Sequence, residues 1–288
     1  MRRPECFSAI RLAASLALAL SLAGCGRETN VSARPSAAPE LIVTPPRNEP
    51  GVVLPILAPS APSFPLSLAG RAVILDPGHG GKDLGASHFG LHEKDIVLDL
   101  ACRAATLLRE RGATVLLTRE KDATLSLAER SAFANRHPEA ILVSIHVNAS
   151  DRNPQAFGIE TYILSSGRDE AERGKLAAAR YRLPDQDEIR SRAAVAALAA
   201  EVRKRGPELA QAIQRRLSSR LDQPDRGVRT KDLAVLRDTY FCPAVLVEMG
   251  FLSHPPTAAA MRTDAWRRRA AEALCEGIGD FLGRPAGG

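Results

Sequence analysis

The stretch "LDPGHGGKDLGASHFGLHEKD", Leu75 to Asp95, follows a short apolar run and gathers Gly78, Gly80, Gly81, Gly85 and Gly90, three of the chain's six histidines and four acidic residues. So much glycine lets a connection bend sharply, and imidazoles beside carboxylates are metal-capable. Before it, "AVILD" (72–76) reads as a buried strand. After it, "EKDIVLDLACRAATLLRERG" puts Val97, Leu100, Ala101, Ala104, Leu107 and Leu108 on one helical face and stops at Gly112. Strand, glycine-rich loop and helix in that order open an α/β unit.

The alternation continues along the chain. "ATVLLTR" (113–119) reads as a strand, and "SLAERSAFANR" (126–136) opens a helix with Ser126 and Glu129 in capping-box register. "AILVSIHVN" (140–148), "GIETYIL" (158–164), "LAVLR" (233–237) and "AVLVE" (244–248) read as strands, and a last helix is expected from about Asp264 to Leu282. The pattern predicts an α/β fold: a single domain over 70–284, with a largely parallel, mixed central sheet flanked by helices and a helical insertion at 165–207.

The first 25 residues, "MRRPECFSAIRLAASLALALSLAGC", place arginines before an apolar run and small residues after it, the order of an export signal too short to span a bilayer comfortably. Leu22-Ala23-Gly24-Cys25 resembles a bacterial lipobox, which implies removal of residues 1–24 and lipidation of Cys25; Gly26 in place of Asp matches outer-membrane sorting. The plainer reading is a cleavable signal ending by chance at a cysteine. Nine prolines between Gly26 and Ala69, without sustained periodicity, make residues 25–69 an extended linker. Acyl chains at Cys25 would hold the protein on a membrane while the linker lets it reach the periplasm.

Apolar residues make up 45% of the chain, ample for a core, and the formal charge is +6. Arg2, Arg3, Arg11 and Glu5 account for +2 of it, leaving about +4 for the exported body, a balance that suits an anionic polymer. Aromatics are few and not interleaved with basic residues, which argues against a nucleic-acid partner. Cys102, Cys242 and Cys275 remain after export; an odd number at wide spacing gives at most one disulfide and no CxxC knuckle, so buried thiols are expected.

Three buried runs end in a potential ligand or base: "AVILDPGH" in His79, "ILVSIH" in His146 and "AVLVE" in Glu248, while Glu93 begins the first long helix. In open α/β sheets the groups just beyond the carboxyl ends of strands face a common crevice. Two imidazoles and a carboxylate suit a catalytic zinc ion with one position left for water, and a second carboxylate off the metal, for which Glu248 is the candidate, would shuttle the proton. Each residue alone has a plainer reading. The glycines permit a turn, His79 and His146 are core histidines, Glu93 is a helix-start carboxylate favoured by the dipole, and Glu248 pairs with Arg229 or Arg237. His88 and His92 compete for the ligand role and are better placed as exposed or supporting groups. No HExxH occurs, which excludes a helix-borne zincin site.

Taken in order, "VILDPGHGGKDLGA", "EKDIVLDLA", "LLTR", "SLAERSAFAN", "SIHVNA", "GIETYIL", "RGV", "LAVLR" and "PAVLVEMGFLSH" resemble the zinc-dependent N-acetylmuramoyl-L-alanine amidases, the amidase 3 family, over about residues 71–283. The resemblance implies metal ligands at His79, Glu93 and His146, a catalytic Glu248, zinc as cofactor, peptidoglycan as substrate, and a role in daughter-cell separation. His254 stands where the family usually has Asn, and Cys242 precedes Pro243 where a hydrophobic residue is common. The interval between Leu164 and about Leu209 is longer than a minimal connection. It is either a solvated helical excursion or a regulatory insert lying over the crevice until an activator protein displaces it, in which case removing residues 168–190 would raise basal hydrolysis. Two rivals stand beside the amidase: a zinc peptidase acting on stem peptides, and a catalytically silent peptidoglycan-binding protein, which would be expected to lack part of the quartet.

Overall fold

A computed structural model of the chain describes residues 67–164, 197 and 199–283. The export segment, Cys25, most of the linker and most of the insertion fall outside those residues; within the insertion, residues 199–204 are helical.

Six strands form one sheet: β1 (Ala72–Pro77), β4 (Thr114–Leu117), β5 (Ala140–Asn148), β6 (Ile159–Leu164), β7 (Asp225–Lys231) and β8 (Ala244–Phe251), in the order β4-β1-β5-β8-β6-β7. The four strands from β4 to β8 run parallel, β6 is antiparallel to β8, and β7 is parallel to β6. A separate two-stranded hairpin pairs β2 (Ser87–His88) with β3 (Leu91–His92).

Side chains on a strand alternate between faces, and β1 is buried throughout because both faces are covered. Val73 and Leu75 join a core with α1 (Glu93–Glu110), α3 (Gly206–Leu221) and α6 (Asp264–Leu282), where Ile96, Leu100, Ile213 and Leu274 are fully buried. Ala72 and Ile74 face the opposite way, onto a smaller core with Ala134 of α2 (Leu127–Asn135) and Leu236 of α4 (Ala234–Arg237). A short helix, α5 (Pro255–Met261), links β8 to α6. The capping box is formed: Ser126 Oγ accepts from the Glu129 N–H while the Glu129 carboxylate accepts from the Ser126 N–H.

Two elements differ from the sequence reading. "LAVLR" is not a strand: Leu233 stands in extended backbone at the N-cap of α4, one helical turn whose Val235 and Leu236 are buried. A four-residue apolar run spans barely one helical turn and repeats no period, so its pattern alone does not separate the two states. The strand on that side of the sheet is instead the polar "DRGVRTK" of β7. Among the described residues it pairs only with β6, and its charges suit an exposed edge.

One consequence of this order positions the chemistry. The carboxyl ends of β1, β5 and β8 and the amino end of antiparallel β6 lie along the same edge of the sheet.

Candidate active site

β1 ends at Pro77, and the chain turns through Gly78 into His79, whose φ of 54° lies in the left-handed region. Such backbone costs energy unless its surroundings hold it. Two buried arginines do so. Arg119 donates to the carbonyl of Gly78 at 2.7 Å, and Arg130 donates to those of Pro77 at 2.7 Å and His79 at 2.5 Å. Arg130 is neutralised by the buried carboxylate of Asp76 at 2.6 Å, which also accepts from Ser144 and Thr118. The loop carrying His79 is therefore fixed from behind by charge-assisted bonds.

His79, Glu93 and His146 each present one ligand atom, all within 4.8 Å of one another. Glu93, the first residue of α1 and 4% exposed, is the centre of the group. Its Oε2 lies 3.1 Å from His79 Nε2 and accepts from the Ala86 N–H, while its Oε1 lies 2.9 Å from His146 Nδ1 and accepts from the Val147 N–H. Burial opposes its charge, but the two imidazoles, His146 and then His79, outweigh burial and hold the Glu93 carboxyl well below the usual carboxylate range. Burial likewise works against protonation of His79, yet Glu93 and then Asp83 raise its pKa to about 9. Asp83 Oδ2 lies 2.8 Å from His79 Nδ1, an outer partner of the kind that orients a metal-bound imidazole and leaves Nε2 for the ion.

Close approach explains two of the glycines. A Cβ at Gly85 would lie 2.5 Å from Glu93 Oε2 and 2.7 Å from His79 Cδ2, and one at Gly78 would overlap the His146 ring.

Glu248 on β8 stands directly across from His146 on β5, and across from Glu160 on β6. The two glutamates have opposite surroundings. Glu160 is 2% exposed and ion-paired to Arg226 at 2.6 Å, with Tyr162 Oη donating at 2.6 Å and Asn148 at 3.2 Å. Burial works against its charge, but these partners outweigh it and keep Glu160 ionised, below its ordinary pKa. Glu248 Oε2 is buried and makes no hydrogen bond among the described residues. Burial, together with the charges of Glu93 and Glu160, pushes the Glu248 carboxyl up to about 7 against the opposing pull of His146. A proton carrier working near neutral pH needs that poise. Neither arginine considered as a partner serves it: Arg229 lies 3.5 Å from Glu160, and Arg237 pairs with Asp232 and Asp238.

The donor set fits a divalent ion. Two imidazoles and one carboxylate converge, the outer partner of His79 is in place, and a buried carboxylate oxygen that makes no hydrogen bond among the described residues faces the same edge. The other histidines take no ligand position: His88 pairs with Asp151, His92 lies 3.0 Å from Ser87 Oγ, His137 lies 3.2 Å from Glu139, and His254 stacks on Phe157. Cys242 and Cys275 are buried thiols, pushed above the ordinary thiol value by burial, and Cys102 is half-buried. The sequence reading passed over Asp83 and Glu160. Asp83 follows His79 by four residues inside the glycine loop, and Glu160 is the single acid in an otherwise uncharged strand, a signal that was available.

The chain matches the profile of the amidase 3 family, described as N-acetylmuramoyl-L-alanine amidase, over residues 73–280. It is 35% identical over 227 residues to an uncharacterised cell wall amidase of Bacillus anthracis, matching 74% of this chain and 36% of that protein. It is 32% identical over 214 residues to the uncharacterised protein YqiI of Bacillus subtilis, covering 74% of this chain and 86% of that one. Among solved structures it resembles the N-acetylmuramoyl-L-alanine amidase of Clostridium difficile 630, with a TM-score of 0.59 and 28% identity over 76% of this chain and 99% of that one. The fold, the His79–Glu93–His146 donor set and the extent of the match agree that this chain belongs to the N-acetylmuramoyl-L-alanine amidase family.

Proposed function

We propose that this chain hydrolyses the amide between the lactyl group of N-acetylmuramic acid and L-alanine in peptidoglycan, as a zinc-dependent amidase in which His79, Glu93 and His146 hold the ion and Glu248 moves the proton. The observation that carries the reading is the placement of an unpartnered, buried Glu248 oxygen one strand away from His146, beside a three-residue donor set. A bound zinc ion would supply Lewis acidity, polarising the scissile carbonyl and making water a nucleophile near neutral pH. Glu93 contributes a full negative charge to the donor set, and Asp83 fixes the tautomer of His79. Glu248 accepts the proton of the attacking water at its carboxylate and returns it to the departing alanine nitrogen, a two-way role suited to a group poised near neutrality. Glu160 stays ionised beside it and raises its proton affinity.

Export, anchoring through Cys25 to the outer membrane, work in the periplasm during daughter-cell separation, and an insertion displaced by an activator belong to the same proposal. Their support is in the sequence: the Leu22-Ala23-Gly24-Cys25 signature, the proline-rich linker, and the excess length after Leu164.

The test is digestion of purified peptidoglycan with and without zinc, using the natural protein and Glu248→Gln, with mass analysis of the products. Intact stem peptides released from glycan support the amidase, whereas shortened stems would identify a peptidase. Glu248→Gln is expected to keep its zinc and lose at least about a hundredfold in turnover; full activity would remove Glu248 from its role.

A further inference from the structure

We infer that the stacked pair Phe157–His254 is a saccharide platform, on which an N-acetylhexosamine ring of the glycan strand rests while the neighbouring stem amide occupies the zinc crevice. The inference rests on the amidase reading for its substrate class and on separate residues for its geometry. The two rings lie 4.7 Å apart at an interplanar angle of 15°, parallel and face to face. His254 is held in place by Thr257 Oγ1, 2.9 Å from its Nδ1, and Phe157 is 39% exposed in spite of the stack. An aromatic side chain whose burial would be favourable, left half in water with one face already backed by a second ring, presents a flat apolar surface at low entropic cost.

Its location points to the occupant. Phe157 lies three residues before Glu160, the residue paired with Glu248, in the connection that enters β6. His254 follows Glu248 by six residues, and the two connections are stitched together: the Ser150 N–H donates to Ser253 Oγ at 2.9 Å, and the Leu252 N–H to the Asn148 carbonyl at 2.7 Å. Among the described residues the exposed large hydrophobics are Leu84, Phe89, Leu127 and Phe157. Leu84, Phe89 and Phe157 lie on connections at the edge of the sheet that carries the donor set, Leu127 begins α2, and of the four Phe157 is the one stacked face to face on another ring. A polymeric substrate whose scissile bond sits in the crevice must lay its adjoining sugars across that rim. The C–H faces of a pyranose suit an aromatic plane, and the loop leading to Phe157 exposes Arg152, Asn153 and Gln155, groups that bond hydroxyl and acetamido oxygens.

The experiment compares two substrates, a glycan chain bearing several stem peptides and a single muramoyl peptide with no adjoining sugar, and adds titration of peptide-free glycan strands onto the zinc-loaded protein. For Phe157→Ala the ratio of kcat/KM on the chain to that on the single muramoyl peptide is expected to fall about tenfold, through KM, with glycan binding weakened by a similar factor. Phe157→Trp should restore both, and His254→Ala should move both in the same direction by less. An equal loss on the two substrates, or glycan binding the same in Phe157→Ala as in the natural protein, overturns the platform. Glycan binding that depends on Phe157 in a protein that releases no stem peptide would overturn the amidase reading and leave the platform standing.

Discussion

Glu93 and His79 show how one buried carboxylate sets the behaviour of its neighbours. In the zinc-free protein the folded carboxyl of Glu93 is held well below its ordinary 4.5, so its contribution to stability is present above that value and is lost as the pH falls. His79 is raised from 6.5 to about 9, so its contribution is complete below 6.5 and is lost as the pH rises through about 9. Together they predict that the zinc-free protein gains most from this pair between about pH 4.5 and 6.5. Thermal unfolding of chelated protein across the pH range checks this by comparison with His79→Ala, which should flatten the decline between 6.5 and 9. An unaltered decline in that variant would show that the pairing does not stabilise the fold. The same protons compete with zinc, so affinity for the ion should drop as the pH falls through neutrality.

At the scale of elements, the site is a product of how tightly a loop and a helix start can approach. Gly85 leaves no room for a methyl group between Glu93 Oε2 and the His79 ring, and its φ of 64° disfavours any side chain. Gly85→Ala is therefore expected to lower zinc affinity at least about tenfold with the rest of the fold intact; zinc titration followed beside far-ultraviolet circular dichroism would show it, and unchanged affinity would mean that the loop yields freely. Much of this was legible in the sequence, because burial leaves a pattern. β5 runs from Ala140 to Asn148, and α6 from Asp264 to Leu282, as their apolar spacing requires. What escaped had no such pattern. β7 is polar, as suits an edge, and α4 is too short for a helical period to repeat. The arginines behind the His79 loop were illegible for another reason: Arg119 and Arg130 meet the backbone of residues 77–79 from more than forty positions away, and no local spacing records that.

On the scale of the whole molecule, residues 79, 93, 146 and 248 reach one edge only because β1, β5 and β8 lie side by side while the chain between them wraps helices over both faces. His79, His146 and Glu248 were readable from strand ends, since parallel strands must end together, and Glu93 from the helix start after the glycine loop; Asp83 and Glu160 left a signal in the sequence, but the distances through which they act are set only by folding. Zinc bound at the proposed site would tie the β1–α1 connection to the centre of the sheet, and an ion that binds the folded chain and not the unfolded one stabilises the entire domain. At a free zinc concentration a hundred times the dissociation constant the gain is about 2.7 kcal/mol. For a domain of this size that corresponds to a rise of roughly 5–10 °C in Tm. Chelation should lower Tm by that amount and abolish amide hydrolysis, and added zinc should restore both in parallel. Loss of activity with no change in Tm would place the ion on a site formed without the fold. A fall in Tm with hydrolysis intact would make the ion structural and return the chemistry to Glu248 and its neighbours alone.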